Sequence, residues 1–223
     1  MKTYAIVLAA GNGSRMNSST PKQFMKIHGI TMLERTLLAF EKHKVVDEII
    51  LVSQKHEILE SLKKSFKKIK KIVEGGERRQ DSVRSGLQAI DSLNGIVLIH
   101  DAARPMVSSD SISRIQSAIA SGNCAATLAI PIMDTLVQVD CGKIERFVPR
   151  EKFMCIQTPQ AFDLETIKVA HNLLRKRPDV SVTDDCSLVK LFALAEIEIV
   201  AGDKENFKIT NPSDLKIAEK FIN

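Results

Sequence analysis

The sequence predicts an α/β protein, a Rossmann-like three-layer sandwich around a mostly parallel sheet with a protruding β-hairpin arm. Three observations carry this. Short runs rich in Val and Ile recur along the chain, helix-length segments with capping signals separate them, and one stretch alternates apolar and polar residues instead. At 223 residues and 44% hydrophobic content the chain can bury one substantial core, so a single domain over 1–223 is expected, with 133–157 as an extension of it.

The apolar runs are YAIVLAA (4–10), DEIILVS (47–53), IKKIVE (69–74), GIVLIH (95–100), AATLAI (125–130) and EIEIVA (196–201). Runs this short and apolar on both faces read as buried parallel strands joined by crossover helices. Thr31 and Glu34 form a T-x-x-E capping box before LERTLLAFEK. Ser108 and Ser109 precede the periodic SISRIQSAIA, which Gly122 stops, and Asn211 with Pro212 opens a closing helix. Residues 133–157 alternate around Cys141 and Gly142, the pattern of a hairpin. A two-stranded arm cannot bury its apolar side alone. Packing against a second subunit is favoured over folding back, which makes a homodimer the expected assembly.

Charged residues make up 26% of the chain, no apolar run reaches the roughly 18 residues of a membrane span, and the start lacks the pattern of a signal peptide. A cytoplasmic protein without a membrane partner is expected. Cys124, Cys141, Cys155 and Cys186 form no CxxC pair that would hold zinc or shuttle electrons, and they read as reduced and structural. Much of the net charge of +5 lies in KKSFKKIKK (63–71). Without interleaved aromatics that run reads as a solvated helix face leading into a strand, not as a nucleic-acid site. Positive charge elsewhere suits a polyanionic substrate.

The first strand runs into AAGNGSRM, followed by TPKQF at 20–24. Gly11 and Gly13 are expected to take positive φ and bring successive N–H groups toward a polyanion, with Arg15 and Lys22 supplying charge. Spacing excludes two familiar phosphate loops. Met16 stands where a dinucleotide fingerprint needs glycine, and no GK followed by Ser or Thr is present.

LAAGNGSRM, TPKQF, GGERRQDSVRSGL, HDAARP, DTL, QTPQAF, TDDCSL and NFKITNPSDL occur in that order. In this the chain resembles the 2-C-methyl-D-erythritol 4-phosphate cytidylyltransferases of the non-mevalonate isoprenoid pathway, from residue 4 to residue 221. The resemblance implies an in-line attack by the phosphate of a polyol phosphate on the α-phosphorus of CTP, with pyrophosphate leaving. Such chemistry rests on positioning and charge neutralisation more than on a covalent nucleophile.

By resemblance Arg15, Lys22 and Lys208 are catalytic, Lys208 reaching the α-phosphate; the bland alternative for Lys208 is an exposed lysine. The same comparison gives Ala9, Ala10, Gly11, Gly13, Gly75, Gly76, Ser82, Asp101 and Ala102 to the nucleotide. Gly75 and Gly76 would let cytosine approach the backbone while Ser82 bonds the base; an ordinary turn and a helix cap are the alternative. Asp101 would face the nucleotide and its Mg²⁺, touching the metal directly or through water, or would contact the ribose instead. Arg104, Thr135, Arg150, Thr158 and Thr183 would bind the acceptor. The arm arginine that reaches a neighbouring subunit's site is Arg150 or, because the match around VPRE is looser, Arg146. His100 reads as structural, since an ionised phosphate needs no base. Asp184 and Asp185 read as the start of a helix.

The nearest competing acceptor is ribitol 5-phosphate. Ala10 and Ala103 favour methylerythritol, because ribitol-type relatives open with LAGG and carry HD-x-VRP. A sugar-1-phosphate nucleotidylyltransferase would not carry HDAARP, QTPQ and NFKIT together. A nucleotide sensor or nucleic-acid-binding module has no need of Arg15, Lys22, Asp101 and Lys208 around a scissile phosphate.

Overall fold

A computed structural model of the chain describes residues 1–11, 13, 16, 20–54 and 58–222. Strand β1 (Thr3–Ala9) is followed by a 3-10 turn at Lys22–Phe24 and a two-stranded ribbon, β2 (Lys26–Ile27) and β3 (Ile30–Thr31). Then come α1 (Met32–Lys42), β4 (Glu48–Ser53), α2 (Ile58–Ser65), β5 (Ile69–Glu74), α3 (Arg79–Gln88), β6 (Ile96–Asp101), α4 (Ser109–Ala120) and β7 (Ala125–Pro131). The chain continues through β8 (Leu136–Asp140), β9 (Lys143–Val148), β10 (Met154–Asp163), α5 (Leu164–Arg175), α6 (Asp185–Leu191), β11 (Glu198–Ala201) and α7 (Pro212–Phe221).

The helices begin where their capping residues stand. The Thr31 hydroxyl accepts from the Glu34 N–H at 3.1 Å while the Glu34 carboxylate accepts from the Thr31 N–H at 2.9 Å, so two orphan donors are satisfied reciprocally. Ser108 caps α4 and Asn211 caps α7 in the same sense, and Gly122 takes φ +109° after α4. The lysine run divides between the end of α2 and the start of β5, as a solvated face leading into a strand.

Among the described residues seven strands form one sheet in the order β11-β7-β10-β6-β1-β4-β5. All neighbours are parallel except β10, which runs antiparallel to both β6 and β7. Alternation along the strands builds the three layers. Ala5, Val7, Ile49, Leu51, Ile96 and Leu98 face α1, α2 and α4, whereas Ile6, Leu8, Ile50, Val52, Val97 and Ile99 face α3, α5 and α6. Leu33, Leu37 and Phe40 of α1 are wholly buried, and each such side chain contributes about 1.5–3 kcal/mol.

The alternating stretch 133–157 divides in two. β8 and β9 form the expected hairpin, turning at Cys141 (φ 45°) and Gly142 (φ 76°), the two positive values a tight hairpin turn demands. Residues 154–157, by contrast, begin β10 and pair with β7 inside the main sheet, Met154 opposite Pro131 and Ile156 opposite Ala129. The hairpin itself is thus shorter than the alternation suggested. The register of β10 shifts between Ile156 and Gln160, around Pro159, which has no N–H to give to a ladder.

Candidate active site

The carboxyl ends of β1, β4, β5 and β6 open into a cleft of about 550 Å³. Ala9, Ala10, Gly11, Lys22, Gly75, Gly76, Ser82, Asp101, Ala102 and Lys208, all expected from sequence, line it, together with Gln23, Arg78 and Arg79. Gly13 sits just behind. It takes φ +64°, and a Cβ there would lie 3.0 Å from the Lys22 Cγ, so glycine seats the Lys22 stem. Gly11, expected to share the positive φ, does not, and among the described residues a Cβ on it would meet nothing within 4 Å. Arg15 lies outside the described residues.

Asp101, at the end of β6, is the hub of the floor. Its Oδ2 accepts from Lys208 Nζ at 2.7 Å and its Oδ1 faces Arg79 Nε at 3.3 Å. Burial pushes the Asp101 carboxyl up, but the charges of Arg79, Lys208 and Arg104 outweigh it and hold the group well below the usual carboxylate range. Arg79 donates in turn to Asp185 Oδ2 at 2.6 Å, and Asp185 Oδ1 accepts from His171 Nε2 at 3.1 Å. Burial alone would lower the Arg79 pKa; Asp185 and Asp101 more than reverse that and raise it.

At the other end of the cleft the glycines serve packing. A Cβ on Gly75 would come within 2.2 Å of the Ala10 Cβ, and one on Gly76 within 2.4 Å of the Asp81 Cβ. The Ser82 hydroxyl accepts from the Gly76 N–H at 3.1 Å, so it ties the first turn of α3 to the end of β5. The crossing is close enough for a ligand to meet backbone there.

His100 and Thr158 lie beneath this floor. The Asp101 N–H donates to Thr158 Oγ1 at 3.1 Å, and the Thr158 hydroxyl donates to His100 Nδ1 at 3.1 Å. His100 Nε2 faces the carbonyl of Arg104 at 3.1 Å; a carbonyl only accepts, so Nε2 carries the proton. Burial lowers the His100 pKa to about 4, which leaves it neutral near pH 7. The structural role read for His100 matches this geometry. Thr158, expected at the acceptor, instead spends its hydroxyl orienting Asp101.

Sequence reasoning missed the polar residues that hold the catalytic loops. Gln157 donates to the Asp203 carbonyl at 2.8 Å, and its Oε1 accepts from the N–H of Asp203 and the amide of Asn206, fixing the segment that leads to Lys208. Gln160 accepts from the N–H groups of Asp185 and Cys186 at the start of α6. Gln23 donates to the Ala9 carbonyl at 2.8 Å and returns the Lys22 loop to β1. Asp184 caps α6, as expected, but Asp185 turns inward to Arg79. Two polar residues flanking a proline in QTPQ were the available signal.

Among the described residues, the five expected acceptor contacts do not line the cleft. Arg104 donates to the Asn206 carbonyl at 2.7 Å, bracing the Lys208 segment. Thr183 is exposed before α6, and Thr135 is exposed before β8. Arg150 is exposed at the base of the arm and donates to the Met133 carbonyl, while Arg146 donates to Gln138 Oε1 at 2.7 Å along the hairpin. Beyond them the arm exposes Val139, Ile144 and Phe147, the last by 70%.

No three His, Cys, Asp or Glu side chains gather into a metal cage among the described residues. A single buried carboxylate, Asp101, suits Mg²⁺ arriving with a nucleotide, because that ion takes one or two carboxylates and completes its shell with phosphate oxygens and water. The cysteines form no disulfide; Cys186 is buried and the other three are exposed. None of the described helices is long and apolar enough to cross a membrane.

The family model described as IspD: 2-C-methyl-D-erythritol 4-phosphate cytidylyltransferase matches residues 3–223. A 2-C-methyl-D-erythritol 4-phosphate cytidylyltransferase of Pelotomaculum thermopropionicum is 40% identical, the match covering 99% of this chain and 94% of that protein. The bifunctional ribulose 5-phosphate reductase/CDP-ribitol pyrophosphorylase Bcs1 of Haemophilus influenzae is also 40% identical, over 99% of this chain and 48% of that one. Among solved structures, the 4-diphosphocytidyl-2C-methyl-D-erythritol synthase of Anaerococcus prevotii superimposes with a TM-score of 0.88 at 30% identity, covering 99% and 96% of the two chains.

Proposed function

The chain belongs to the IspD family of 2-C-methyl-D-erythritol 4-phosphate cytidylyltransferases, and from that premise we propose how its residues carry out the reaction. The protein is a nucleotidyltransferase that moves CMP from CTP to 2-C-methyl-D-erythritol 4-phosphate in isoprenoid precursor synthesis. An oxygen of the acceptor phosphate forms a bond to the α-phosphorus as the bond from that phosphorus to the bridging oxygen breaks, and pyrophosphate departs with the electron pair.

The observation that carries the assignment of roles is the convergence of Lys22, Asp101 and Lys208, far apart in sequence, on one cleft at the carboxyl ends of the strands. Lys22 and Arg15 neutralise the triphosphate, and Lys208 stabilises the charge that builds on the α-phosphate. The backbone of Ala9, Ala10, Gly11 and Gly13 borders the phosphates, and the Gly75–Ser82 crossing reads the cytosine edge. Asp101, with Ala102 beside it, would hold Mg²⁺ arriving with the nucleotide, and the ion would supply charge neutralisation to the phosphates.

The acceptor binds where the cleft meets the arm, held by Arg150 with Thr135 and Thr183, and Arg104 and Thr158 support it from behind. The exposed apolar side of β8 and β9 packs on a second copy, giving a homodimer whose arms complete each other's sites. The cytoplasm, which supplies CTP, is the place of the reaction. Pyrophosphate release from CTP, measured with methylerythritol phosphate, ribitol 5-phosphate and a sugar 1-phosphate, tests the reading; the likeness to Bcs1 is the reason for the second acceptor. Highest kcat/KM is expected with methylerythritol phosphate. Faster turnover of ribitol 5-phosphate would overturn the acceptor assignment and leave the cytidylyl chemistry standing.

A further inference from the structure

Two carboxylates and two cations meet under the cleft. Asp101 takes Lys208 on one oxygen and Arg79 on the other, and Arg79 is itself fixed to Asp185 at 2.6 Å. Asp185 is buried and bonded at both oxygens and at its N–H. It is 1% exposed, its second oxygen accepts from His171, and its N–H donates to Gln160. Lys208 differs in kind: its side chain is the more exposed of the two cations, on a flexible stem. If Lys208 swings to the α-phosphate when CTP arrives, its bond to Asp101 is the one it gives up.

We infer that Arg79, anchored on Asp185, is the positioning residue that holds Asp101 in place and compensated when Lys208 leaves it for the phosphates of the nucleotide. A planar guanidinium can span two carboxylates at once, as Arg79 does; an ammonium cannot hold the same bridge. Without Arg79, departure of Lys208 before a divalent ion is seated would strand a carboxylate that is 8% exposed, and an unpaired buried charge is strongly unfavourable. Lys208 would then stay on Asp101 and be withheld from the substrate. Arg104, the other nearby cation, adds its charge but has its guanidinium engaged with the carbonyls of Asn206 and Ile156, so it does not take over the hydrogen bond that Arg79 makes to Asp101. Arg79 therefore acts through Lys208.

This rests on the role given to Lys208 above, and a double-mutant cycle separates the two. Arg79→Gln is expected to lower kcat/KM for CTP by about 10²-fold while leaving the acceptor KM within about twofold. In a Lys208→Ala background the same substitution should cost less than about threefold, since no lysine remains to be released. Arg79→Lys should recover about tenfold of the loss through its charge alone. Thermal unfolding checks that each variant is folded, and if Arg79→Gln is not, Arg79→Lys carries the cycle with the same non-additivity expected. Equal fold-losses in both backgrounds would overturn the inference. Unimpaired turnover by Lys208→Ala alone would instead overturn the role of Lys208, and the inference with it.

Discussion

Gly75→Ala puts the tightest glycine approach among the described residues under load. The new Cβ would stand 2.2 Å from the Ala10 Cβ and 3.0 Å from the Ser82 Oγ, neither the far end of a flexible side chain. Ordinary contact begins at 3.4 Å, so the ends of β1 and β5 must separate by about 1.2 Å. Overpacking of this kind costs about 1–3 kcal/mol, more than the gain of about 0.4–1 kcal/mol from a stiffer unfolded chain. At about 2–4 °C per kcal/mol for a domain of this size, Tm should fall by several degrees. The displaced backbone borders the cleft, and a 1 Å misplacement costs about 10²-fold in rate. Pyrophosphate release and thermal unfolding measure both. Gly11→Ala is the control: with nothing among the described residues within 4 Å of its Cβ, stability should change by under about 0.5 kcal/mol. A Gly75→Ala enzyme with unchanged Tm and kcat/KM, or a Gly11→Ala enzyme destabilised as much, would refute the packing argument.

Lys22→Ala should lower turnover at saturating CTP by about 10²-fold, the cost of one transition-state donor; near-normal turnover would remove Lys22 from catalysis. CTP should be used in preference to UTP by about tenfold or more, because reversing the donor and acceptor at the 4-position leaves buried groups unpaired, and equal rates would remove the base-reading role of the Gly75–Ser82 crossing. Mixing an Arg150→Ala chain with a Lys22→Ala chain, after dissociation and reannealing, should restore activity toward half of wild type per heterodimer. One site then receives both defects and the other neither. Subunit exchange without recovery would mean that Arg150 does not serve a partner's site.

The runs that became β1, β4, β6 and β7 were legible because a strand covered on both faces has to be apolar on both, whereas β5 and β11, at the two edges of the sheet, are only partly buried; the capping residues marked where helices begin. β10 was hidden for the opposite reason. Gln157, Thr158, Pro159 and Gln160 are a poor strand by composition, yet each polar side chain in the run is buried and bonded to a loop or to His100. The cleft was legible through its glycines and lysines, whose types state their chemistry. Arg79 and Asp185 were not, since each stands beside a residue of its own kind with another role, the exposed Arg78 and the α6 cap Asp184, and their pairing joins positions 106 apart in sequence. The expected role of Gly11 erred for a related reason: a glycine in a loop does not say whether it supplies a backbone angle or empty space.

The polarity of β10 settles where the arm can be. Because that strand reverses direction, its first residue, Met154, lies beside the last residue of β7, Pro131, at the rim where β6 ends in Asp101. Everything from 132 to 153 is therefore an insertion into what would otherwise be a simple hairpin, entering and leaving at adjacent points. A short turn could close that gap without disturbing one pairing of the main sheet. The pairing of the main sheet and that of the arm are thus independent, and what ties the arm to the chemistry is not the sheet but the acceptor residues proposed on it, Thr135 and Arg150.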